Sequence, residues 1–127
     1  MLAAYAVRAD PESPLDALVV GEIQPPSVPA GWVQVQVKAA ALNRHDVWSL
    51  RGVGLPADRL PMILGCDAAG VTDDGREVIV NAVINSPDFV GSDATYDPER
   101  SLLSERYPGT FATQAWVPAT NLVEKPP

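Results

Sequence analysis

Thirteen prolines and nine glycines are spread through the 127 residues, and they limit what the chain can become. Proline fixes φ and removes a ladder donor, and glycine loosens the backbone, so together they cut the apolar segments into short runs bounded by turns. Such a pattern favours many short strands over long helices. The clearest strand is Val33 to Val37, where Val33, Val35 and Val37 alternate with Gln34 and Gln36 and give one apolar and one polar face. Further strands are expected in Leu2 to Val7, Leu18 to Ile23, parts of Met62 to Thr72, Glu77 to Ile84, and Thr110 to Val117, with Asp73-Asp74-Gly75 as a tight hairpin turn. One segment reads as helix: Arg44 to Arg51, with Asn43 as N-cap, Val47, Leu50 and Trp48 toward the core, and Gly52 closing it. A single short helix among about seven strands predicts a mainly β, partly open barrel.

Two segments stand apart. Asn85 to Gly109 contains Pro87, Gly91, Pro98 and Pro108 with few periodic apolar positions, and is too long for an ordinary connection, so it reads as a surface lobe. Asn121 to Pro127 ends in Lys-Pro-Pro, which cannot continue a ladder, and reads as the start of a linker.

The remaining composition narrows the function class. Hydrophobic residues at 46% and charged residues at 20% describe a folded domain rather than a disordered chain, and 127 residues suffice for one core. A formal charge of −7 without a Lys/Arg cluster argues against nucleic acid or an anionic membrane surface as partner. Met1 to Asp10 has neither a basic start nor a long apolar run, and no segment approaches a membrane span, which makes a cytoplasmic location the default expectation. The only cysteine is Cys66 and the only histidine is His45, which excludes an internal disulfide and leaves a conventional zinc site little to draw on.

Several blocks in order carry a resemblance. Val37-Lys38-Ala39-Ala40-Ala41-Leu42-Asn43-Arg44-His45-Asp46 is followed by Leu60-Pro61-Met62-Ile63-Leu64-Gly65-Cys66-Asp67-Ala68-Ala69-Gly70-Val71, by Gly75-Arg76-Glu77-Val78-Ile79-Val80, and by Gly109-Thr110-Phe111-Ala112-Thr113-Gln114-Ala115-Trp116-Val117-Pro118 with Asn121-Leu122-Val123. In this order they resemble the medium-chain dehydrogenase/reductase family, over almost the whole chain. The resemblance implies a GroES-like, partly open β-barrel across residues 1–127 that shapes the substrate side of a cleft. It also implies an NAD(P)-dependent oxidoreductase whose dinucleotide is bound mainly by a following Rossmann domain. No strand here leads into a glycine-rich G-x-G-x-x-G turn and helix, so that domain is expected outside this chain and the chain alone is expected to be inactive.

The resemblance also places the chemistry. In the zinc-dependent alcohol dehydrogenases of the family a cysteine ligand stands at the position of Asn43 and a histidine ligand at that of Cys66, while the cysteines of the structural zinc lobe would fall in Asn85 to Gly109, which has none. No zinc is therefore expected, and the zinc-free quinone-oxidoreductase type is the nearer comparison, with a small carbonyl, enone or quinone as substrate. Without a Lewis acid, developing negative charge on oxygen needs hydrogen-bond donors. Asn43 and His45 are the candidate catalytic residues, His45 as proton donor. Arg44 and Asn43 are the candidate cofactor-binding residues, Arg44 matching a position that reaches the dinucleotide phosphates.

Each of these residues also has a plainer role open to it. Asn43 would cap the helix, His45 and Arg44 would be solvated helix residues, and Asp46 would accept backbone N–H groups in the first turn. Cys66 would be a small buried apolar residue, Gly65 and Gly70 would permit close packing, and Trp48 and Trp116 would be core or cleft-wall aromatics. Two rival functions stay open: an alcohol dehydrogenase with an atypical metal site using Cys66 and Asp67, and a stand-alone GroES-like binding or assembly module. Substrate, NAD versus NADP, and oligomeric state, a homo-oligomer included, stay open as well.

Overall fold

A computed structural model describes residues 1–127. Ten short strands and one α-helix follow one another as β1 (Leu2–Ala6), β2 (Leu18–Glu22), β3 (Trp32–Ala39), α1 (Arg44–Leu50), β4 (Met62–Ile63), β5 (Ala68–Thr72), β6 (Glu77–Val80), β7 (Val83–Ile84), β8 (Ser101–Leu102), β9 (Gln114–Pro118) and β10 (Leu122–Glu124). They form a five-stranded sheet in the order β10-β6-β5-β3-β9, a three-stranded sheet β2-β1-β4 and a two-stranded ribbon β7-β8, with every pairing antiparallel. The architecture is mainly β, a curled and partly open half-barrel of the GroES-like kind.

The alternation in β3 decides which way the large sheet faces. Val35 is fully buried and pairs with Thr72 on one side and Ala115 on the other, while Gln36 and Lys38 point outward. Val35 packs with Ala68, Val78, Val80, Ile84, Leu103 and Val117 in the main core. A second core of Ala6, Ala17, Leu50, Leu55, Met62 and Leu64 seats α1 against the three-stranded sheet. Burying Leu50 there stabilises by roughly 1.5–3 kcal/mol. The hairpin at Asp73-Asp74-Gly75 forms as expected, with Gly75 at φ +87° joining β5 to β6.

Three expectations need correction. The buried face of α1 is Asp46, Ser49 and Leu50, whereas Val47 and Trp48 are exposed to 45% and 49%. Because the inward carboxylate at Asp46 fixes the helix rotation, the i+3 and i+4 positions follow it inside and the apolar pair between them turns out. The C-terminal segment is ordered as a strand up to its prolines: β10 pairs with β6, and Lys125 N–H still donates to Glu77 O at 3.0 Å before Pro126 ends the ladder.

The segment 85–109 is anchored at its far end rather than free throughout. Leu103 lies in the main core, Tyr107 packs against Trp32 in a tilted pair with ring centroids 4.8 Å apart, and the buried Asp97 carboxylate accepts hydrogen bonds from Ser86 N (2.7 Å), Asn85 Nδ2 (3.1 Å) and Glu99 N (2.8 Å). Burial alone would push the Asp97 carboxyl up, but these hydrogen bonds outweigh it and hold it below the usual value. A carboxyl held low in the folded state contributes stability above its unfolded value of about 3.9 and loses it as pH falls through the folded value. Limited proteolysis near neutral pH should therefore cut within 87–96, where Val90 is 95% and Tyr96 80% exposed. Below about pH 4 an acid protease should extend the cuts toward 97–106. Cutting at 97–106 to the same extent near neutral pH would contradict the anchoring.

Candidate active site

The site grows from the start of α1. Asn43 is the N-cap residue, with extended backbone at φ −123° and ψ 155°. Asp46, three residues on, reaches back so that its Oδ2 accepts Asn43 N–H at 2.8 Å, while its Oδ1 accepts Gly65 N–H at 3.1 Å. One buried carboxylate thereby ties the helix start to the loop Leu64–Asp67 and satisfies two backbone donors that would otherwise be orphaned. Gly65 sits at φ +92°, and a Cβ there would press on Thr110 Oγ1 and Phe111, so only glycine lets the loop lie this close to the strand entering β9. Thr110 Oγ1 closes the contact by donating to Asp67 O at 2.6 Å.

Asp67 gives the loop its second link to the helix start. Its Oδ2 accepts from Asn43 Nδ2 at 2.9 Å and its Oδ1 from Ala41 N at 2.8 Å, and Asn43 Nδ2 also donates to Ala41 O at 3.2 Å. Both neighbours of that nitrogen are acceptors, which identifies it as the amide NH2. The Asn43 amide thus has both N–H bonds committed within the chain.

His45 points away from Asn43. Its Nε2 lies 3.1 Å from Ser104 Oγ and 4.0 Å from Glu105 Oε1, and its side chain is 19% exposed. Glu105 is held in turn, its Oε2 accepting from Leu102 N at 3.1 Å and Ser101 Oγ at 3.3 Å. Beyond Glu105 opens a cavity of about 410 Å³ bounded by Gly52, Gly54, Leu55, Arg100 and Arg106.

The half-buried Cys66 thiol lies among these acids. Burial raises its pKa first, and the charges of Asp46, Asp67 and Glu105 raise it further, so the sulfur stays a protonated thiol. Arg44 is exposed on the outer side of the helix start, clear of hydrogen bonds and ion pairs to the rest of the chain. An apolar groove of about 350 Å³ runs between Ala39–Ala41 and Asp67–Ala69.

Of the residues singled out in the sequence, Asn43, Asp46, Cys66 and Asp67 converge, and Arg44 and His45 leave the same turn in different directions. Ser104 and Glu105 carried no sequence signal. They lie 59 and 60 positions from His45, in a segment that reads as a lobe, and only the fold brings them to the ring.

Among known families, the alcohol dehydrogenase GroES-like domain matches residues 29–127. No curated protein sequence matches the chain. Among solved structures, an NAD-dependent alcohol dehydrogenase is similar with a TM-score of 0.84 and 30% identity, over 99% of this chain and 40% of its own length. A crotonyl-CoA carboxylase/reductase (TM-score 0.81, 24% identity, 98% and 34% of the two chains) shares the fold. So does a thermostable alcohol dehydrogenase from Pyrobaculum aerophilum (0.78, 24%, 98% and 40%). The chain therefore spans 40% or less of the length of these relatives. It belongs to the alcohol dehydrogenase GroES-like domain family, the N-terminal domain of the medium-chain dehydrogenases and reductases.

Proposed function

We propose that this chain is the substrate-side domain of an NAD(P)-dependent oxidoreductase that works without zinc on a small carbonyl, enone or quinone, when paired with a separate nucleotide-binding domain. The observation that carries the zinc-free reading is the Asn43–Asp67 pair. Where a metal ligand would be required, the chain presents an amide N–H donor, and both oxygens of the neighbouring carboxylate are already engaged. Cys66 is the single thiol of the chain and the single histidine turns its Nε2 to Ser104, whereas zinc sites are assembled from several thiolate, imidazole and carboxylate ligands. The donor set therefore does not fit zinc, and no step is routed through a metal.

The residues fit a dinucleotide brought by another domain. Arg44 has its guanidinium free at the surface, with exposed Leu42, Val47 and Trp48 around it, which supports phosphate contact and docking of a partner domain on this face. A nicotinamide bound by that domain would supply or accept the hydride. The chain supplies the proton: as negative charge develops on the substrate oxygen, the His45 imidazole donates to it, and in the reverse direction takes the proton back. Asn43 and Asp67 frame the floor of the cleft by locking Ala41 and Gly65–Asp67 to the helix start.

Two measurements test this. Elemental analysis of the purified protein should find no stoichiometric zinc, and a chelator-resistant zinc per chain would refute the zinc-free reading. Calorimetry on the 127-residue chain should show no NADH or NADPH binding in the micromolar range, because Arg44 alone does not replace a phosphate-cradling loop and helix. Micromolar binding would refute the need for a second domain.

A further inference from the structure

Ser104 is the one non-glycine residue with a left-handed backbone, at φ +70°, and it is fully buried. Elsewhere the chain uses glycine wherever φ is positive: Gly31, Gly52, Gly54, Gly65 and Gly75. A side chain at such an angle costs stability that glycine would not, and residues kept there against that cost gather at functional sites. What serine adds over glycine is a hydroxyl, and that hydroxyl stands 3.1 Å from His45 Nε2. The Glu105 carboxylate approaches the same nitrogen at 4.0 Å. Their turn is fixed in place: Ser104 N donates to Tyr107 O at 2.8 Å, Glu105 N to Leu102 O at 3.2 Å, and Leu103 is anchored in the main core. The ring's other nitrogen, Nδ1, has no partner within the chain and is not sealed from solvent.

We propose that Ser104 and Glu105 are positioning residues for His45: they hold Nε2 inward with its proton and leave Nδ1 as the nitrogen that exchanges a proton with substrate. This rests on the reading of His45 as proton carrier. When an alcohol is oxidised, its O–H bond breaks, the electron pair stays on oxygen to form the carbonyl, and the proton bonds to Nδ1, while the carbon-bound hydride leaves to the nicotinamide of the proposed reaction. Reduction runs the same transfers backward. The Glu105 carboxylate balances the charge that the imidazolium then carries.

The test uses Ser104→Gly and Ser104→Ala, with kinetics on the protein containing its nucleotide-binding domain and ¹⁵N NMR on the 127-residue chain, whose single histidine makes the imidazole signals unambiguous. Ser104→Gly should raise the thermal midpoint, since the strain is relieved, yet lower kcat about tenfold, with KM for the dinucleotide changed by less than about twofold. Ser104→Ala should show the same kcat loss without the gain in midpoint. In both variants the Nε2–H correlation should be lost to solvent exchange, and Glu105→Gln should weaken it. If Ser104→Gly keeps that correlation while His45→Ala is costly, the positioning proposal fails and the proton-carrier reading survives. If the correlation is lost but His45→Ala leaves turnover unchanged, the proton-carrier reading fails and the proposal falls with it.

Discussion

Replacing His45 with alanine, in the chain joined to the proposed nucleotide-binding domain, should lower kcat by a factor of roughly 10 to 100, or about 1.4–2.7 kcal/mol of transition-state stabilisation. On the proposed role, the loss should fall on kcat rather than on KM, because an imidazole that acts as charge develops on the substrate oxygen contributes little to the resting complex. Water entering the 19% exposed site replaces part of the lost donor, which keeps the effect below that of a sealed oxyanion hole. Arg44→Ala is the contrasting change. It removes an exposed guanidinium and should raise KM for the dinucleotide with a smaller effect on kcat. Steady-state kinetics on the two variants separates the roles, and a His45→Ala enzyme within about twofold of the parent would make the imidazole a bystander.

Gly109→Ala should be strongly destabilising for the addition of a single methyl group. A Cβ at this position would overlap the backbone carbonyls of both Leu64 and Gly65, and neither can retreat. Gly65 O accepts Thr110 N–H at 3.0 Å, Leu64 O accepts Phe111 N–H at 2.8 Å, and Gly109 N–H itself donates to Ile63 O at 2.8 Å. Relief would require opening this ladder, so the expected cost is about 3 kcal/mol or more against a total stability of roughly 5–15 kcal/mol for a domain of this kind. The same ladder presents Gly65 N–H to Asp46, so a partly folded Gly109→Ala protein should also lose the link between α1 and the loop Leu64–Asp67. Denaturant titration compares the variants, and a midpoint equal to the parent's would show that the two backbones can separate freely.

The strands other than β8 and β10 were legible in the sequence because valine alternation and turn residues act locally. Val33, Val35 and Val37 specify β3 and its inward face whatever surrounds them, and Asp73-Asp74-Gly75 specifies the hairpin between β5 and β6. The rotation of α1 was not legible, because Val47 and Trp48 satisfy a helical apolar stripe, while the side chain that sets the rotation is the carboxylate of Asp46, whose partner Gly65 lies 19 residues away. β8 was missed for a related reason. Two residues of strand inside a proline-rich segment carry no period, and Leu103 becomes core only when β7 has already brought Ile84 beside it. At the site, Asn43, Arg44, His45 and Asp46 share one helical turn and could be seen together. Ser104 and Glu105 could not, since neither a positive φ nor a 59-residue contact leaves a mark in composition.

The Asp97 knot has a consequence for the conditions under which the domain holds its shape. A lobe stapled by thiolates around an ion depends on metal supply and on a reducing environment, and it is incomplete until both are met. Here a carboxylate, two backbone amides and an asparagine side chain, none of which can be oxidised or stripped by a chelator, do the fastening. The order of this segment is therefore indifferent to metal starvation and to oxidants. The solution variable to which it does answer is acidity.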